Sequence, residues 1–219
     1  MPVVHLIRHG QASFGAADYD VLSNVGEQQA KLLADALLRS GVRPDRMIAG
    51  SLKRQQDTAT ICAEAASWDL PMDVDPRLNE YDHLALLREQ EEPPGFGPAA
   101  GRAVQEALDA GLLAWARSDR PSSDGRTFAQ WRDDALAAQR EFIGSLGRGG
   151  SGLMFTSGGV LGAICADLLG LAEEGLVALN RVTVNTGITK IVSGRGGTSL
   201  ISFNAHGHLE GAADLVTYR

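Results

Sequence analysis

Behind the first two residues, the apolar run Val3-Val4-His5-Leu6-Ile7 leads directly into Arg8-His9-Gly10-Gln11-Ala12-Ser13. Such a run reads as a buried strand, so a guanidinium, an imidazole and a glycine emerge where the sheet stops. Ligands of open α/β sheets bind at the carboxyl ends of the strands. A guanidinium matches phosphate oxygens with a planar fork of donors, and a neutral imidazole beside it can act as nucleophile or base. The following residues supply the rest of such a sheet. Ser23 reads as a helix cap ahead of Glu27, and Ala30, Leu33, Ala34, Leu37 and Leu38 follow at helical spacing until Gly41 and Pro44 stop them. Residues 47–50 read as a short buried strand and 52–66 again as a helix. This alternation favours a parallel sheet with helices on both faces.

The second half is less regular. Residues 89–95 and 121–125 are loop-like, whereas 104–117 and 128–146 read as helices. Residues 83–150 are therefore read as a mostly helical insertion that caps a site within one domain spanning 1–219. A glycine-rich link, 147–152, returns to a strand at 153–156, and Ser157-Gly158-Gly159 opens a helix that runs to Leu169. Two closing strands, near 186–192 and 198–203, flank Gly194-Arg195-Gly196-Gly197 as an antiparallel hairpin. With 219 residues, 44% of them hydrophobic, the chain can bury a substantial core. A net charge of -7 argues against a general nucleic-acid or anionic-membrane binder, yet it allows a local arginine-lined pocket. The absence of a long apolar stretch and of a leader pattern points to a cytoplasmic protein. Cys62 and Cys165 lie in helix-like apolar stretches and read as buried free thiols.

The strand ending in Arg8-His9-Gly10 resembles the start of the histidine phosphatase superfamily, the fold of the phosphoglycerate mutases and acid phosphatases. Three more segments match in order: Leu22-Ser23-Asn24-Val25-Gly26-Glu27-Gln28-Gln29-Ala30, Ser51-Leu52-Lys53-Arg54-Gln55-Gln56-Asp57-Thr58-Ala59, and Leu78-Asn79-Glu80. The resemblance implies an α/β, three-layer phosphoglycerate mutase-like fold, with a mostly parallel sheet, helices on both faces and a helical insertion. It also implies roles. Arg8 and Arg54 neutralise a phosphomonoester, and His9 attacks phosphorus to give a phosphohistidine. Glu80 protonates the departing alkoxide and then activates water. Gln11 and the backbone around Gly10 add neutral donors, and Ser157 and Gly158 complete the phosphate site at a helix start. The arginines neutralise the charge, so neither a metal nor another cofactor is expected.

The chain departs from the pattern twice. Most active members of the family carry a second histidine where Ser157 stands, and an asparagine where Gly15 stands. Loss of one preorganised donor costs about 10²- to 10³-fold in turnover, against an acceleration that reaches about 10²¹ for phosphate monoesters. Reduced hydrolysis of a small phosphomonoester is the first reading. The second is a protein that binds a phosphorylated ligand or partner without turnover, and the third is a mutase. Ser157 as a hydrolase nucleophile is disfavoured, because Phe155 stands where that turn needs glycine.

Other residues have plainer readings. Arg132 is a candidate to support the phosphate from the insertion. His5 reads as a strand histidine satisfied by a neighbour; His83, three residues beyond Glu80, could approach substrate but reads more plainly as a surface-loop histidine. His206 and His208 make a poor metal site without a third ligand. Phe96, Trp115, Phe128 and Trp131 read as helix packing more than as a leaving-group pocket. A small phosphorylated substrate is the expected partner, with no nucleic acid and no membrane, and the sequence allows a homodimer.

Overall fold

The structure, a computed structural model, describes residues 1–13, 20–88 and 101–218. The loop read at 89–95, the candidate Phe96 and the departure at Gly15 lie outside those residues. Six strands form one sheet in the order β3-β2-β4-β1-β5-β6. They are β1 (Val3–Arg8), β2 (Arg46–Ala49), β3 (Met72–Val74), β4 (Ser151–Thr156), β5 (Ile188–Gly194) and β6 (Gly197–Ala205). β1, β2, β3 and β4 run parallel to one another, whereas β5 and β6 pair antiparallel at one side. The helices are α1 (Asn24–Arg39), α2 (Lys53–Ala65), α3 (His83–Arg88), α4 (Gly101–Ala116), α5 (Phe128–Ser145), α6 (Gly158–Leu169) and α7 (Glu173–Val182).

Strand alternation divides the core into two layers. Ile7, Met47, Ala49, Leu153 and Phe155 pack with Leu33, Leu37, Ala59 and Cys62 of α1 and α2. Val4, Leu6, Ile48 and Met154 face the other way, toward α5, α6 and α7. β1 and β4 therefore bury both faces, which is why they read as continuous apolar runs in the sequence. The result is the three-layer α/β arrangement expected from the sequence. No helix among the described residues is long and apolar enough to cross a membrane.

Local chemistry sets the element boundaries. Ser23 caps α1 by accepting a hydrogen bond from the Gly26 N–H at 3.1 Å, and Gly41, at φ +71°, takes the chain away from its far end. The closing hairpin turns through Arg195-Gly196, with Gly194 paired to Gly197. β4 starts at Ser151, so the last two residues of the presumed glycine-rich link belong to the strand. β3, α3 and α7 have no counterpart in the sequence reading.

Three side chains differ from their expected surroundings. His5 is buried, but its Nδ1 has no hydrogen-bond partner among the described residues. The expected satisfying neighbour is therefore absent at that atom. Ser157 does occupy the cap position of α6, yet its hydroxyl does not cap the helix. Arg132 is paired with Asp133 on the surface and supports no phosphate pocket. Trp115, Phe128 and Trp131 pack against one another with ring centroids 5.3–5.9 Å apart, as helix-packing residues do. Cys62 and Cys165 are buried free thiols.

Candidate active site

Four segments converge at the carboxyl ends of the parallel strands. Arg8 ends β1 and His9 follows it. Arg54 lies in the first turn of α2, just after β2. Glu80 comes two residues after the 3-10 turn Pro76–Leu78, which follows β3. In the parallel register Arg8 lies opposite Thr156 of β4, and the His9 N–H donates to the Thr156 carbonyl at 2.9 Å. Among the described residues, Arg8, His9, Arg54 and Glu80 line one cavity of about 100 Å³. A single water needs about 10–15 Å³ on this measure, so there is room for a small ligand.

The His9 imidazole is held in one tautomer. Its Nδ1–H donates to the Gly10 carbonyl at 2.7 Å, which leaves the lone pair on Nε2. That nitrogen accepts from Arg54 Nε–H at 3.1 Å. Burial first, then the Arg54 and Arg8 guanidiniums, hold the imidazole pKa well below its ordinary value. His9 is therefore neutral at neutral pH. The Gly10 N–H donates to Thr58 Oγ1 at 2.9 Å, and Asn185 Nδ2 donates to the His9 carbonyl at 3.0 Å. The loop is thus pinned on both sides. A side chain at Gly10 would meet the Gly26 carbonyl oxygen at 2.7 Å, so β1 and α1 approach too closely for anything but glycine.

The two arginines are anchored differently. Arg8 Nη1 donates to the Thr183 carbonyl. Arg54 Nη1 pairs with Asp20 at 2.6 Å, and the Lys53 N–H donates to the same carboxylate. Glu80 accepts from the Gly159 N–H at 3.0 Å and from the Tyr81 N–H at 3.3 Å. Burial raises its pKa above the ordinary carboxylate value, against the opposing pull of these bonds and of Arg8 and Arg54. The raised carboxyl and the lowered imidazole are thus shifted in opposite directions within one cavity, the pattern that suits an acid beside a nucleophile.

Of the remaining sequence candidates, the side chains of Gln11 and Ser157 are placed elsewhere. Gln11 Oε1 accepts from Ser23 Oγ at 2.8 Å, so its side chain is tied to the start of α1. Ser157 is fully buried, and its Oγ accepts from Gln55 Nε2 at 2.8 Å. The same Gln55 nitrogen donates to the Leu78 carbonyl at 3.0 Å. Neither Gln11 nor Ser157 is among the described residues lining the cavity. Gly158 lies beside Arg8: a Cβ there would stand 3.6 Å from Arg8 Nε and 2.7 Å from Asn180 Oδ1.

Several lining residues escaped the sequence reading. Leu84 and Leu87 of α3, Val104 and Leu108 of α4, and Asn180, Arg181 and Tyr218 all line the cavity, as does His83, which the sequence allows to approach substrate. The spacing of Leu84 and Leu87, and of Val104 and Leu108, would have shown one helical face. Nothing in it shows that the face turns to a cavity and not to the core.

A neutral imidazole beside two guanidiniums and a buried carboxyl of raised pKa, all at strand carboxyl ends, is an arrangement suited to a tetrahedral oxyanion. The family follows from comparison: the chain belongs to the histidine phosphatase superfamily (branch 1), whose family model matches residues 4–206. A probable phosphoglycerate mutase GpmB of Enterobacter sp. (strain 638) is 34% identical over 102 residues, covering 41% of this chain and 46% of that protein. The matches to the curated relatives span about half of their length. Among solved structures, Bacillus stearothermophilus YhfR superposes with a TM-score of 0.73 at 21% identity, over 95% of this chain and 100% of the other. Mycobacterial glucosyl-3-phosphoglycerate phosphatase superposes with a TM-score of 0.65 at 23% identity, over 93% and 98%. These two likenesses establish the fold.

Proposed function

We propose that the protein is a metal-independent phosphohydrolase that cleaves a small phosphomonoester through a phosphohistidine on His9. The observation that carries this reading is the His9 imidazole, held neutral with its Nδ1–H on Gly10 and its Nε2 lone pair directed at Arg54. On binding, the phosphoryl oxygens take the guanidinium donors, and Nε2 is released to face phosphorus. Nε2 then forms a bond to phosphorus as the ester P–O bond breaks. The Glu80 proton passes to the departing oxygen, and an alcohol leaves. The Glu80 carboxylate next takes a proton from water. The resulting hydroxide bonds to phosphorus, the P–N bond breaks with its electron pair returning to His9, and inorganic phosphate departs with Glu80 protonated again. Arg8 and Arg54 offset the charge on the equatorial oxygens in both steps.

The cavity wall supports a substrate whose alcohol portion carries both apolar and polar surface: Leu84, Leu87, Val104 and Leu108 line it together with Gln105, Asn180, Arg181 and Tyr218. The name of the mycobacterial neighbour, a glucosyl-3-phosphoglycerate phosphatase, is consistent with hydrolysis. The buried Ser157 favours a second reading, in which the site binds a phosphorylated ligand without turnover.

Phosphate release from a panel of phosphomonoesters, with chelator present, separates the two readings. Wild type is expected to release phosphate and to yield an acid-labile phosphoenzyme on quenching. His9→Ala is expected to lose both, the rate by several orders of magnitude. Release that persists in His9→Ala would overturn the phosphohistidine, and silence of wild type across the panel would favour binding alone. Transfer of label to phosphoglycerate in place of water would make the protein a mutase.

A further inference from the structure

The cavity holds a second imidazole that the steps above leave unused. His83, read from sequence as a surface-loop histidine, lines the same space as Arg8, His9, Arg54 and Glu80. Its position is fixed by the backbone. Asp82 Oδ1 accepts from the Ala85 N–H at 2.9 Å at the start of α3, and its Oδ2 accepts from Ser123 Oγ at 2.7 Å. The His83 N–H donates to the Tyr81 carbonyl at 2.9 Å. Tyr81 is wedged against Trp115 and Trp131, with ring centroids 6.1 and 5.6 Å away. The segment Glu80–His83 therefore carries the acid and an imidazole into the cavity on one braced turn.

The charges around His83 are those that a phosphoryl group would meet. Arg54 from α2 and Arg8 from β1 face it, with Asp82 as its own neighbour, and His83 in turn acts electrostatically on His9. Burial, then Arg54, lower its pKa to about 4, so the ring is neutral at neutral pH. Meanwhile Ser157 holds the place after β4 where the family pattern sets its second histidine. Its hydroxyl is sealed in the interior against Gln55. Among the described residues, the Ser157 side chain does not line the cavity after β4, whereas the His83 imidazole lines it at the start of α3.

We propose that His83 is the second imidazole of this site, donating its N–H to a non-bridging phosphoryl oxygen that Arg54 also holds. The donor has moved from the end of β4 to the start of α3, three residues beyond the acid. This assignment rests on the hydrolase reading for its rate effect, but not for its binding effect.

The test compares wild type with His83→Ala, His83→Asn and His83→Gln. It measures kcat and KM on the best panel substrate, orthovanadate affinity, and the thermal midpoint. His83→Ala is expected to lower kcat about 10²- to 10³-fold with a smaller change in KM, and to weaken orthovanadate binding at least tenfold. His83→Asn or His83→Gln, which keeps an N–H, is expected to recover part of both. Values within threefold of wild type in His83→Ala would overturn the assignment, as would a change confined to KM. If His83→Ala does not fold, His83→Leu, which fills the space without a donor, is judged by the criteria set for His83→Ala. If wild type hydrolyses nothing but binds orthovanadate, the hydrolase reading fails and the vanadate affinities alone decide the role of His83. Wild type that does neither overturns both.

Discussion

Gly159 shows how finely the acid is placed. A Cβ there would lie 2.2 Å from Glu80 Oε1 and 2.6 Å from a Tyr81 ring carbon, so Gly159→Ala must push the carboxyl away or strain α6. Its turnover is expected to fall at least tenfold, read as kcat on the best substrate, with secondary structure unchanged by circular dichroism. Ser157 gives the opposite lesson. An imidazole introduced there would meet Gln55 and a fully packed interior. Overpacking costs about 1–3 kcal/mol, and each kcal/mol lowers the melting temperature by roughly 2–4 °C for a chain of this size. Ser157→His is therefore expected to melt lower and to gain no turnover, and a rise in kcat would contradict the placement of the donor on α3. Arg8, His9, Arg54 and Glu80 were legible because each follows a strand or opens a helix within a recognisable string. The directions of Ser157 and His83 were not, because a sequence gives the position of a side chain along an element and not the neighbours it finds. Gln55, which turns Ser157 inward, reaches it across 102 positions of chain.

At the scale of elements, long amphipathic helices and doubly buried strands were readable from periodicity. α1, α2, α5 and α6 start and stop within about two residues of their expected bounds. β3 was missed because it has three residues and two of them are exposed, so no alternation can build up. α3 was missed for similar reasons, as six residues barely exceed one helical turn. Ser23 links an element boundary to the site, since it caps α1 and also donates to Gln11 Oε1. Ser23→Ala is expected to cost about 1 kcal/mol, measurable as a fall in the urea midpoint at unchanged slope. An unchanged midpoint would mean that the cap contributes nothing.

For the molecule as a whole, the histidines set the response to acid. His5, His83 and His208 have pKa values lowered from 6.5 to about 4, chiefly by burial, and His9 is lowered as well. Between these values the unfolded chain binds protons that the folded chain refuses, so stability rises with pH through this window. It is complete above about pH 6.5 and is lost progressively as the pH falls toward 4. Glu80 and Asp57, with their raised pKa values, act in the opposite sense, but they are two groups against four. The urea midpoint is expected to drop between pH 7 and pH 5, and His5→Gln combined with His208→Gln should flatten that drop. A midpoint that ignores pH across this range would show that the buried rings keep their ordinary pKa in the folded chain.

The sheet order has a consequence in time. β4 sits between β1 and β2, and Val3 pairs with Ser151. A ribosome adding about 5–20 residues per second must therefore work for roughly seven to thirty seconds before the first strand can meet its central neighbour. Throughout that interval β1 and β2 present open edges. The nascent chain has then already made Arg8, His9, Arg54 and Glu80, but not the strand that brings them into register. Catalytic geometry is thus among the last things the growing polypeptide acquires, and a message truncated before β4 would yield an aggregation-prone fragment and not a weaker protein.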